Sequence, residues 1–112
     1  MLNNDIQEIE IEIEEAIKKV RLGQLVTKFQ ADPEFIELVT EGYFRDDAAR
    51  LVMLKADKSF QTPEKQAKLD ADMLGISVFG EYLRTKRITG IMAADAIKQN
   101  ELTREELIRG SV

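Results

Sequence analysis

Side chains able to do chemistry are few in this chain, and they are nearly all carboxylates. They cluster at residues 8–15, in and just before the run IEIEIEEAI, and at Asp46 and Asp47. Paired carboxylates can hold a divalent cation or share acid and base work, but only when fixed together in a dry cleft with further ligands or a base nearby. No histidine and no cysteine stands anywhere in the 112 residues. That removes the commonest general base, the commonest transition-metal ligand, disulfides, thiolate chemistry and cysteine zinc sites. Three serines remain (Ser59, Ser77 and Ser111), with no histidine to activate them. The stretch DKSFQTPEKQAKLD lacks the ligand spacing and central glycine of a calcium loop, and LGISVFG lacks the lysine of a phosphate loop. The glutamates of residues 8–15 therefore read as a solvated face, and Asp46 and Asp47 as acids in the first turn of a helix. The chain is expected not to be an enzyme, with no catalytic residue, no cofactor and no metal ligand.

If chemistry is absent, faces and charges carry the information. Apolar residues make up 44% and charged residues 33% of the chain, a balance suited to one folded helical domain. The net charge of −5 is segregated. Residues 1–17 hold six acids and no base, and residues 18–30 hold four bases (Lys18, Lys19, Arg21, Lys28) and no acid. Residues 31–50 sum to −4 and residues 76–100 to +2. A net-negative chain is a poor non-specific ligand for phosphate backbones, and an acidic arm beside a basic band reads better as a pairing device between copies or with a partner. No apolar run approaches the roughly 20 residues that span a bilayer, and MLNNDIQEIE has neither the basic start nor the apolar core of a signal peptide.

The elements follow from periodicity and punctuation. IEIEI alternates like a strand, yet glutamate favours helices, and Asn3, Asn4 and Asp5 are good caps. A helix of about 5–29 is expected. Ile6, Ile9, Ile13, Ala16, Ile17 and Val20 fall on one stripe, and five of them fit heptad positions a and d. Ile11 projects from the opposite side, where Leu22, Leu25, Val26 and Phe29 also lie if the helix runs straight. Either the helix breaks at Gly23, or one helix buries its two halves against different neighbours. In the second case the N-terminal arm (residues 1–30) leaves a bundle of residues 31–112 and binds another chain.

QADPEF is a stop and a start, with Asp32 as cap and Pro33 at the first helical position. A helix of about 33–41 should present Phe35, Ile36, Leu38 and Val39 and end at Gly42. Another, about 44–56, should bury Phe44, Ala48, Leu51 and Val52, and ADKSFQ should be loop. Thr62 and Pro63 open a central helix of about 62–87 with two opposed apolar stripes. One is Leu69, Met73, Ile76, Gly80 and Leu83; the other is Ala67, Ala71, Leu74, Val78 and Tyr82. A helix apolar on both sides is central to a bundle or sandwiched in an assembly. Gly75 and Gly80 inside it stand either for close packing or for simple tolerance. Arg84, Lys86 and Arg87 suit the end of that helix, or form a patch for an acidic partner. Gly90 should break the chain before a helix of about 91–99, and Thr103 with Glu106 forms a capping box for a last one ending at Gly110. The expected fold is all-α, a small bundle of five to six helices with an extended N-terminal helix and a long central one.

The stretch from DPEF to YLRTK, with its D-P-x-F opening, its G-Y-F-x-x-x-A-A-R-L turn and its T-P-E start, resembles small helical proteins of tailed bacteriophages. The resemblance covers about half the chain and implies a virion or assembly protein acting by copy number and contact, located in the host cytoplasm and then the virion. It carries over no catalytic residue. The leading expectation is a structural or assembly protein that oligomerises or docks through helical surfaces, with protein partners (itself or other virion proteins) and neither nucleic acid nor membrane. The partner face would be Ile6, Ile9, Ile11, Ile13, Ile17 and Val20. Two alternatives stay open. A packaging or regulatory subunit of the small-terminase kind would meet phosphate through Lys18, Lys19, Arg21, Arg84, Lys86 and Arg87. An acidic helical inhibitor would present a decoy surface to a host enzyme. Helix-turn-helix readings are weakened because Asp46 and Asp47 sit beside Arg45, Arg50 and Lys55.

Overall fold

A computed structural model describes residues 2–110, so Ser111 lies outside the described residues. Among them the chain is all-helical. Helix α1 spans Leu2–Ala31. A first turn, α2 (Pro33–Phe35), runs without a break into a π-helical stretch, Ile36–Asp47, and then into α3, Ala48–Leu54. A single 3₁₀ turn, Lys58–Phe60, precedes α4, which spans Pro63–Gly110 in 48 residues.

Three helical stretches thus replace the five or six expected. Gly23, Gly42 and Gly90 all lie within helices, and no described glycine adopts positive φ, so none supplies the left-handed stop. Thr103 does not cap either: its hydroxyl donates back to the Gln99 carbonyl at 3.0 Å, the bond a threonine makes inside a helix. The two predicted starts with proline are real. Asp32 Oδ1 accepts from Glu34 N at 2.9 Å and Phe35 N at 3.0 Å, and Thr62 Oγ1 accepts from Lys65 N at 3.3 Å.

The chain divides into two compact units, and not at the expected boundary near residue 30. One joins the residues up to Thr27 with those from Thr85 onward; the other is Lys28–Arg84. In the first unit, α1 packs antiparallel on the C-terminal half of α4. Gly23 lies against the backbone of Lys86, Arg87 and Gly90, while Gly90 lies against Lys19 and Gly23. Ile13, Ala16, Val26 and Ala93 are buried in this unit. From the contact of Gly23 with Gly90, the inward positions of both helices advance in steps of three and four. Val20 then falls level with Ala93, Ala16 with Ile97, Ile13 with Asn100, Ile9 with Arg104 and Ile6 with Leu107. Asn100 and Arg104 are thereby polar residues in an otherwise apolar seam, the kind that can fix register.

The second unit has a core of Leu51, Leu69 and Ile76, ringed by Tyr43, Phe44, Ala48, Leu54, Phe60 and Met73. The π-helical stretch widens the turn by one residue, so inward positions repeat at five: Val39 with Phe44, and Tyr43 with Ala48, are half-buried pairs. From Phe44 the inward face then continues through Ala48, Leu51 and Leu54. Leu51 is only 1% exposed, but Val52, expected inside, is 59% exposed and Leu54 takes the inward place. Leu38, expected on the same face as Phe35 and Ile36, is 74% exposed.

Candidate interaction surfaces

Each predicted site residue can be placed. Of the six proposed for a partner, Ile13 is buried, and Ile6, Ile9 and Val20 are half-buried, in the seam with α4 of the first unit. An apolar stripe is satisfied by any apolar helix face, and the chain supplies one itself. Ile11 and Ile17 stay exposed. The two basic segments come close together in the same unit. Lys18, Lys19 and Arg21 on α1 stand at the level where Gly23 meets the Lys86 and Arg87 carbonyls. No acid occurs in residues 16–27 or 85–94, so this end of the unit carries five cations. Arg84 belongs to the second unit and pairs with Glu81 one turn before it.

The carboxylates do not converge. Among the described residues no group of three or more histidines, cysteines, aspartates or glutamates could hold a metal ion. Asp46 accepts from Arg45 Nε at 2.8 Å, and this bond holds its carboxyl below the usual range while pushing the guanidinium further up. Asp47 takes Arg50 Nε at 3.0 Å. Ser59 is bound to Asp57, whose carboxyl is lowered by the serine hydroxyl and then by its backbone N–H at 2.8 Å. These residues order a turn. Gln61 and Gln66 finish the same loop by donating to the Lys55 carbonyl at 2.9 and 3.0 Å.

A groove of about 490 Å³ flanks the glycine contact in the first unit, lined by Val20, Gln24, Thr27, Arg87, Ile91 and Ala94. It has an apolar floor and one cation at its rim, with no group able to act as base. In the second unit the two stripes of α4 have opposite fates. Leu69 and Ile76 are buried, and Met73, Gly80 and Leu83 half-buried. Ala67, Ala71, Leu74, Val78 and Tyr82 are all exposed. Beside this bare stripe, Phe79 stacks on Phe44 with ring centroids 5.7 Å apart. Sequence periodicity found both stripes; which one the chain would cover depends on α3 and the π-helical stretch, whose phase it did not reveal.

Among the described residues no helix is long and apolar enough to cross a membrane. No family model, curated protein or solved structure matches this chain.

Proposed function

We propose that this chain is a non-catalytic structural or assembly protein, oligomerising or docking on a larger complex through helical faces. The observation that carries the reading is the second stripe of α4 in the Lys28–Arg84 unit. Leu74 and Val78 stand 63% and 58% exposed at helical spacing, with exposed Ala67 and Ala71 before them and Tyr82 beyond. Contiguous apolar faces of this kind mark interaction sites on soluble proteins. The resemblance of the stretch from DPEF to YLRTK to small helical phage proteins makes a virion the assembly we propose.

Light scattering on the purified chain tests the reading. The expected mass exceeds that of one 12.8 kDa copy, and Leu74→Lys with Val78→Lys lowers it without loss of helix content. A chain that stays at one-copy mass at every concentration, and retains no virion protein with its stripe intact, overturns the reading.

A second reading is favoured by one observation, the meeting of two basic segments at one end of the first unit. There the chain would be a packaging or regulatory subunit contacting phosphate. Its mark would be DNA binding that falls steeply between about 50 and 200 mM salt and is lost on reversing Lys18, Lys19 and Arg87.

A further inference from the structure

Residues 11–22 read IEIEEAIKKVRL. Folded about the bond between Ala16 and Ile17, this stretch is its own complement. Ile11 answers Leu22, Glu12 answers Arg21, Ile13 answers Val20, Glu14 answers Lys19 and Glu15 answers Lys18. Every acid meets a base and every apolar residue meets an apolar one. A two-fold interface can use such a pattern directly, since residue i of one copy contacts j of the other and j contacts i.

The structure shows which half of the pattern is available. Ile13 and Val20 face α4 within the chain, Ile13 buried and Val20 half-buried. On the opposite side of α1 lie Ile11, 55% exposed, Leu22, 42% exposed, and the exposed Glu15 and Lys18 between them. The spacing of 11, 15, 18 and 22 is again four, three, four, a second heptad seam back to back with the first. Glu14 and Arg21 flank it on one side, Glu12 and Lys19 on the other. The ion pairs seen among the described residues all lie between Glu41 and Arg109. The charges of α1 are not consumed there.

We propose that the outer face of α1 binds a second copy of this chain, antiparallel, across a two-fold axis level with Ala16 and Ile17. In that register Ile11 packs on Leu22 of the second copy and Glu15 meets its Lys18. Only residues on the same flank can meet, so Glu14 lies nearest Arg21 and Glu12 nearest Lys19, acid against base as in the linear complement but with partners two positions away. A parallel pair would set Glu15 on Glu15 and Lys18 on Lys18, and like charges at close quarters exclude it. The proposal rests on the assembly reading above and names one of its partners and the geometry.

Two charge reversals test it. Glu14→Lys with Glu15→Lys makes one variant; Lys18→Glu with Arg21→Glu makes the other. By sedimentation at low salt the unaltered chain should dimerise, and the association constant should fall by about tenfold or more in each variant alone. An equal mixture of the two should regain it, because each copy then offers what the other lacks. Raising the salt should weaken the dimer through screening. Register is read separately in this cysteine-free chain. Ile11→Cys mixed with Leu22→Cys should give a disulfide heterodimer, and neither alone a homodimer. Association unchanged by the reversals, a mixture that fails to regain it, or homodimers from Ile11→Cys alone would each overturn the proposal. If Leu74→Lys with Val78→Lys still lowers the assembly mass while the reversals do nothing, this inference fails and the assembly reading stands. If neither set has an effect, both fail.

Discussion

The two units close on the same helix by opposite means. In the first, α1 and α4 approach until backbone nearly touches backbone; a Cβ on Gly23 would lie 3.0 Å from the Lys86 carbonyl oxygen and 3.1 Å from Gly90 Cα. In the second, rings fill the space. Gly80 has only the Phe44 ring at 3.5 Å, and Gly75 only the Tyr43 hydroxyl at 3.8 Å. Glycine in a helix costs up to about 1 kcal/mol against alanine wherever it sits. What it returns depends on the neighbour: near rigid backbone it sets the helix spacing, and beside a ring it sets nothing.

The contrast can be broken first at the filled end. Leu51→Ala empties the centre of the second unit and should cost about 2–5 kcal/mol in urea unfolding, the largest single effect. Gly23→Ala or Gly90→Ala forces the helices of the first unit apart and should cost about 1–3 kcal/mol in the same measurement. Gly75→Ala should run the other way and stabilise by about 0.5–1 kcal/mol, because a methyl group meets ordinary contact there. A loss at Gly75 as large as at Gly23 would erase the distinction. The smallest effect concerns the turn before α4. The folded-state pKa of Asp57 is depressed, so its contribution is present above the ordinary carboxylate pKa and is lost as pH falls through the lower, folded value. NMR titration of the Asp57 carboxyl should show this midpoint below the usual range, and Ser59→Ala should return it upward.

The same contrast explains what the sequence could tell. Asp32 with Pro33, and Thr62 with Pro63, act through local geometry, and both appear where expected. The stripes of α1 and α4 were legible because helical periodicity is local too. Gly90 misled because a glycine that stops a helix and one that admits a neighbouring helix look alike in one dimension, and only Gly23, 67 positions earlier, distinguishes them. Thr103 misled because the same hydroxyl serves as a cap or bonds back to the Gln99 carbonyl inside a helix. The partner face assigned to Ile6, Ile9, Ile13 and Val20 suffered in the same way, since its cover came from α4. Ile11, which the wheel places on the opposite side of the helix and which is counted in the expected partner face, stays outside the seam and exposed.

The π-helical stretch Ile36–Asp47 alters what a gentle mutation is in this protein. In an α-helix, deleting a residue rotates everything after it and is harsher than most substitutions. Where the ladder runs from i to i+5 each turn holds about one residue more than an α turn, so removing exposed Thr40 moves the segment toward ordinary α spacing. Length variation should therefore be better tolerated here than anywhere else in the helices, at the cost of rotating Tyr43 and Phe44 against α4. A chain one residue shorter would keep its helices and exchange its aromatic packing.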